Sequence, residues 1–194
     1  SLGRVYDFGP VFRAERSKTR KHLTEFWMMD AEAAFVEHAE SMQIQEDLIR
    51  YVLRDVLATC DTELTILERD KAALAAADAP FKIMTQREAV DYLRSKGSEI
   101  THGSDLGAAD EVLLTEGSPV PIFIEKWPKE IKAFYMKRDP DNPDLVLGSD
   151  LIAPDGFGEI IGGSQREDDH DLLLERMKDE KMPLEDYQLS LIHI

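Results

Sequence analysis

The sequence holds a single cysteine, Cys60. One thiol excludes an internal disulfide framework and fits a reducing compartment. No apolar run approaches the roughly 20 residues that span a bilayer. The opening SLGRVYDFGP has neither the apolar core of a secretory signal nor an initiator methionine. Positive charge is scarce: 23 Lys and Arg stand against 39 Asp and Glu, a net charge of -16. That balance argues against broad nucleic-acid affinity, because phosphate backbones reward clustered cations. The P-loop, GxGxxG and CxxC patterns are all missing, and so are internal repeats and low-complexity linkers. What remains is an ordinary globular composition, 43% hydrophobic and 32% charged over 194 residues. It suffices for one domain with a core, or a large piece of a bigger one. A cytoplasmic address is the expectation.

Against this acidic background one stretch is basic. From Arg13 to Lys21 five cations face one acid, Glu15, so any polyanion is met locally. The surrounding segment, Phe12 to Phe35, reads as two strands joined by that loop, a hairpin of about residues 4–36. Its second strand alternates strictly. Phe26, Met28, Asp30 and Glu32 share one face; Trp27, Met29, Ala31, Ala33 and Phe35 share the other. The hairpin therefore has an apolar underside and a chemically loaded upper side. Arg13 can hold a phosphate through its fixed fork of donors, and Glu15, two residues on, can accept from an exocyclic amine. Phe26 can stack on a base and Asp30 can hold an ammonium. The plain alternative is a solvated surface strand with an Arg–Glu pair.

Helices follow. Leu48, Ile49, Val52, Leu53, Val56 and Leu57 form one apolar helical stripe. A second helical piece covers about 63–77 and stops at Asp78 and Pro80. Thr85 with Glu88 is a capping-box pattern opening a helix that ends at Gly97. Residues 98–118 read as polar loops with a short helix near 105–115. Strand-like runs then come at 120–125, 131–137, 145–152 and 159–164, with a turn at 139–143. A hairpin, then helices, then hairpin-linked strands predict an α+β fold with a mainly antiparallel sheet.

A second constellation lies on these strands. Asp150 and Glu159, near the ends of adjacent strands, can hold Mg²⁺, which prefers oxygen ligands; Gly162 and Gly163 leave room beside them. Arg166 ends the same strand and can receive a carboxylate or an amide oxygen. The run Asp168-Asp169-His170-Asp171 is read instead as a charged helix start. His38 and His102 have no partner visible in the sequence, and Cys60 is read as packed.

At these residues a resemblance emerges. FRAERSKTRKHLTEF resembles motif 2 of the class II aminoacyl-tRNA synthetases. EFWMMDAEAAF, PKEIKAFYMK and GEIIGGSQRE are similar to the asparaginyl members more than to the aspartyl ones. The match runs from about Arg4 to Tyr187. It implies a partial catalytic domain over 1–188: motif 2 at about 8–36, a helical region at about 37–118, and later active-site strands at about 120–166. It further implies ATP and Mg²⁺, with asparagine activated as an adenylate and then moved to the acceptor end of tRNA(Asn). By the same resemblance Arg13 is the catalytic arginine on the α-phosphate. Glu15, Lys21, His22, Leu23, Phe26 and Glu159 attend ATP. Asp30, Lys132, Tyr135, Gly162 and Arg166 attend the amino acid, and Asp150 and Glu159 attend the metal. Arg16, Lys18 and Arg20 meet tRNA.

Lys21 departs from the arginine common in the family, replacing a planar fork by a point charge. Nothing resembles motif 1, motif 3 or the anticodon-binding barrel, and LSLIHI follows Tyr187-Gln188 where the family continues differently. Residues 189–194 are therefore expected to be a non-native tail. The full-length parent is expected to be a homodimer with no membrane attachment, and the isolated chain inactive, with apolar surface exposed. The competing readings are an aspartyl enzyme, a tRNA-independent amino-acid ligase of the same fold, and an inert binding module.

Overall fold

The structure, a computed structural model, describes residues 2–14 and 23–191, Leu189 and Ser190 by their backbone alone. The chain divides into two units, Ser1–Glu37 and His38–Ile194.

The first unit is the hairpin, β1 (Arg4–Phe12) and β2 (Glu25–Ala33). The strands pair antiparallel from Arg4↔Ala33 to Phe12↔Glu25, and the Arg13 N–H extends the ladder by donating to the Thr24 carbonyl at 2.9 Å. Directly opposed residues share a face. Phe26 thus stands opposite Val11, Met28 opposite Gly9 and Asp30 opposite Asp7, while Trp27 and Met29 lie opposite Pro10 and Phe8 on the other face. The predicted apolar underside is present, and it is open: Phe8 is 60% and Trp27 64% exposed, with their rings 5.3 Å apart. A two-stranded ribbon has too little area of its own to cover such a face.

The second unit is built on five strands: β3 (Lys82–Thr85), β4 (Ile122–Pro128), β5 (Arg138–Asp139), β6 (Asn142–Ala153) and β7 (Gly158–Ser164). β6 is central. It pairs antiparallel with β4 on one edge and with β5 and β7 on the other, and β3 adds to β4 in parallel. Its helices are α1 (His38–Thr59), α2 (Asp61–Ile66), α3 (Lys71–Ala76), α4 (Gln86–Ser95), α5 (Ala108–Thr115), α6 (His170–Asp179) and α7 (Gln188–Leu191). The fold is α+β, mainly antiparallel, as expected.

Strand alternation sorts the core into two layers. Ile122, Ile124, Val146 and Ile152 pack with Ala89, Leu93 and Leu114 of α4 and α5. Phe123 and Leu151, on the opposite face, pack with Met42 of α1 and with Phe81. Asp150 pairs with Ile124 across β4–β6, so it belongs to the α4–α5 face.

Three local readings change. The helical piece at 63–77 is two short helices, because Glu68 takes φ 52° and Asp70 restarts the chain by accepting from the Ala72 and Ala73 N–H groups. β3 was not anticipated: four residues leading straight into the Thr85 cap are too few to show a period. The strand expected at 131–137 is a 3-10 turn, Lys129–Ile131, followed by a turn in which the Met136 N–H donates to Ala133 O at 3.1 Å. Adjacent aromatic residues take over there, Phe134 packing edge-on against both Tyr135 and Tyr187, which alternation across a sheet would forbid. The capping box of α4 forms as predicted, with Gly97 at φ 96° behind its end. Asp169 caps α6.

Candidate active site

The site in the second unit grows from the β6–β7 pair. Asp150 lies directly opposite Gly162, Leu151 opposite Ile161, and then the register shifts so that Ile152 faces Glu159. Ile160 is thereby the extra residue of a β-bulge. Residues 159 and 162 have opposite parity and would point to opposite faces of a regular strand. The bulge turns Glu159 onto the face of Asp150, a re-aiming that bulges often perform beside active sites. Gly162 completes the arrangement: a Cβ there would stand 2.8 Å from Glu159 Oε1 and 3.8 Å from Asp150 Oδ1. Gly163 serves another purpose, since its Cβ would meet Gln45 Nε2 of α1 at 2.8 Å.

The two carboxylates strain one another electrostatically. Partial burial and the nearby Asp150 charge push the Glu159 carboxyl up to about 7, although the residue as a whole is exposed and solvent screening moderates the effect. Burial also raises Asp150, against the pull of Lys132, and Asp105 and Glu111 add negative field. Lys132 Nζ lies 2.6 Å from Asp150 Oδ2 and 3.8 Å from Asp105, and 3.9 Å above the Trp127 ring. Acids gathered around too little positive charge would favour a cation. Among the described residues no three His, Cys, Asp or Glu side chains are grouped to hold a metal by themselves. Two hard oxygen donors fit Mg²⁺, which typically takes one or two carboxylates and completes its shell with water and substrate phosphate.

Beside the pair, the Arg166 guanidinium stacks 4.1 Å from the Tyr135 ring, and Met136 bridges Arg166 as an isolated antiparallel pair. The segment carrying Lys132 and Tyr135 is pinned from below. Arg176 of α6, only 5% exposed, donates to the carbonyls of Lys129 and Lys132 at 2.6 Å each. Of the predicted residues, Lys132, Asp150, Glu159 and Gly162 come together, and Tyr135 with Arg166 forms a second contact. Arg176, Trp127, Asp105 and Glu111 escaped the sequence reading. His38 does have a partner, Glu125 Oε2 at 2.9 Å, and its N–H is capped by Gln165. Two clefts of about 270 and 420 Å³ open elsewhere, beside His38 and beside Arg87.

On the hairpin, the Arg13 guanidinium lies 5.5 Å from the Phe26 ring, so the predicted pair shares a face. Leu23 is exposed. Asp30 is exposed opposite Asp7, a like-charge pairing that costs stability unless a cation sits between; hairpin register alone would have found Asp7. Glu15, Arg16, Lys18, Arg20, Lys21 and His22 lie outside the described residues.

The family model for tRNA synthetases class II (D, K and N) matches residues 1–191. The chain belongs to this family. Among curated class II relatives it is 50% identical over 188 residues to the asparagine–tRNA ligase of Pelotomaculum thermopropionicum, covering 97% of this chain and 44% of that protein. The crystal structure of asparaginyl-tRNA synthetase from Pyrococcus horikoshii complexed with asparaginyl-adenylate superposes with a TM-score of 0.94 at 46% identity. The match covers 98% of this chain and 44% of that one. The aspartyl-tRNA synthetase of Entamoeba histolytica is less similar, with a TM-score of 0.84 at 30% identity over 97% of this chain and 40% of that one. The chain thus spans less than half the length of the synthetases it matches.

Proposed function

We propose that the full-length protein containing this chain is an asparaginyl-tRNA synthetase. A carboxylate oxygen of asparagine attacks the α-phosphorus of ATP and pyrophosphate leaves. The 3′-terminal ribose hydroxyl of tRNA(Asn) then attacks the activated carbonyl and AMP leaves. The observation that carries the reading is the bulge-aimed Asp150–Glu159 pair above Gly162, in a family member more similar to asparaginyl than to aspartyl enzymes.

On the hairpin, Arg13 holds the α-phosphate and stabilises the charge that grows on it. Phe26 stacks on adenine, Asp30 receives the amino group, and Glu15, Lys21, His22 and Leu23 complete the nucleotide contacts. Arg16, Lys18 and Arg20 meet the acceptor end of the tRNA. In the second unit Arg166, oriented by Tyr135, binds the amino-acid side chain, with Lys132 and Gly162 beside it. Asp150 and Glu159 hold Mg²⁺, which when bound neutralises phosphate charge. No side chain is needed as a general base, since adenylation depends on positioning and charge neutralisation. The single free cysteine supports a cytoplasmic address. Among the described residues no helix is long and apolar enough to cross a membrane. The homodimer remains the family expectation for the full-length protein.

ATP–pyrophosphate exchange by the full-length protein tests this directly. We expect exchange with asparagine over aspartate, followed by charging of tRNA(Asn). Exchange with aspartate would move the reading to the aspartyl enzyme, and exchange without charging would support a tRNA-independent ligase. Arg166→Ala lowers asparagine-dependent exchange by on the order of 10–100-fold, the worth of a charged hydrogen bond.

A further inference from the structure

We propose that Lys132 is a resident counter-ion of the Asp150–Glu159 pair, one whose charge opposes the binding of a divalent cation and which shifts aside when the cation binds. The inference rests on the reading of that pair as the cation site and adds the residue that regulates entry to it.

The geometry is a monovalent cation seated beside the place where a divalent one would bind. Lys132 Nζ is 2.6 Å from Asp150 Oδ2, with the lysine side chain 13% and the aspartate side chain 9% exposed. A metal ligated by Asp150 would meet that ammonium across a single carboxylate, and like charges at this range in a partly buried site repel strongly. Lys132 holds Oδ2 while Oδ1 stands on the Glu159 side, so the two cations can share Asp150 only at the cost of that repulsion. The backbone of Lys132 is fixed, because its carbonyl accepts from Arg176 Nη2 at 2.6 Å; only the four-carbon stem can yield.

The surroundings provide somewhere for it to go. The ammonium already lies 3.9 Å above the Trp127 ring, a face that attracts cations. That ring is held by its Nε1–H donating to Ile124 O at 3.0 Å, and it is 1% exposed. Asp105, 3.8 Å away and mostly open to solvent, offers a second carboxylate. Sliding along Trp127 toward Asp105 frees Asp150 without stranding the charge. Lys132 therefore weakens cation binding in the empty site, so that the metal enters with the phosphates that supply further ligands. Once displaced, the ammonium is free to meet an anionic group of the substrate. Competition of this kind is reciprocal, since whatever the lysine takes from metal affinity the metal takes from the lysine contact.

Mn²⁺ alone, without nucleotide, tests the idea on the 194-residue chain, with free Mn²⁺ followed by electron paramagnetic resonance. Lys132→Met should bind Mn²⁺ about tenfold more tightly than the wild type, within the usual span of coupling between sites. It should also gain a larger rise in melting temperature on adding the metal. Asp150→Asn should abolish binding in both backgrounds. Equal or weaker affinity in Lys132→Met, with binding still lost in Asp150→Asn, would overturn the counter-ion while sparing the cation site. Absence of binding in wild type and variant alike would overturn both. Should Lys132→Met fail to fold, Lys132→Gln keeps a polar stem and carries the same expectation. An independent readout is Trp127 emission in a Trp27→Phe background. Mg²⁺ should change it when Lys132 is present and leave it unchanged in Lys132→Met; an unresponsive Lys132 protein would sink the displacement.

Discussion

Glu159 holds its proton to about pH 7 because burial and Asp150 both disfavour its charge. A divalent cation must remove that proton, so metal affinity rises as pH climbs through about 7. Mn²⁺ titrations on either side of that pH should show tighter binding on the alkaline side, and Glu159→Gln should erase the difference. Gly162 makes a sharper demand on the same atoms. In Gly162→Ala the new methyl must push the Glu159 carboxylate aside, its nearest atom being the end of a flexible side chain. Folding should change little, while Mn²⁺ affinity falls by roughly the 10–100-fold typical of disturbing groups around a metal; isothermal calorimetry with a thermal melt separates the two. At this scale the sequence exposed the donors but not their alignment. Asp150, Glu159 and Gly162 were legible as chemistry, whereas the bulge at Ile160 that puts the two acids on one face leaves no mark in residue spacing. Lys132 carried a signal only by resemblance, and its seat on Trp127 joins residues from different elements, which periodicity cannot pair.

Among the elements, those with a local cause were readable. The Thr85–Glu88 box and Gly97 bracket α4 through groups within a turn of one another, and the 3.6-residue stripe announces α1. The segment 129–136 was misread because its shape is imposed from outside. Arg176, 44 residues beyond Lys132 in sequence, satisfies the carbonyls of Lys129 and Lys132 and reaches Met136 O at 3.5 Å. Truncating it to Met strands these acceptors, at a cost of about 1–3 kcal/mol for each group left buried without a partner. Arg176→Met should therefore lower chemical-denaturation stability by at least that much and also loosen Lys132 and Tyr135. Lys would not substitute, lacking the fork that reaches several acceptors. Asp78 is the corresponding tie for α1. Hydrogen bonds from Arg54 and Arg50 hold its carboxyl at about 2, below its ordinary 3.8. A depressed folded value means a contribution fully present above pH 3.8 and lost as pH falls toward 2. Asp78→Asn should be less stable than wild type at neutral pH, and the gap should close on acidification; circular dichroism melts at several pH values below 5 read both.

For the molecule as a whole, what decides behaviour is how unevenly apolar surface is covered. The second unit buries Trp127, Phe123, Ile124 and Leu151 almost completely in two layers around β4 and β6. The hairpin leaves Tyr6, Phe8, Phe12 and Trp27 more than half exposed, and among the described residues β1 and β2 pair with each other alone. A two-stranded ribbon of this kind is marginal in water and offers free edges to other chains. The alternation in EFWMMDAEA revealed which residues share the apolar face, but not whether anything covers it; coverage depends on chain outside the pattern. Two consequences can be measured on the same sample. Amide hydrogen exchange should be fast through β1 and β2 and slow through β4 and β6, because protection follows buried contacts. The two tryptophans should divide likewise: acrylamide should quench Trp27 and spare Trp127, and Trp27→Phe should remove most of the quenchable emission. A uniformly protected hairpin, or a Trp27 that acrylamide does not reach, would mean that its apolar face is covered in solution, by self-association if sedimentation then shows a mass above that of one chain. Replacing Trp27 and Phe8 with Thr, which keeps strand preference while removing the rings, should in that case return the chain to a monomer and leave the second unit's melting unchanged.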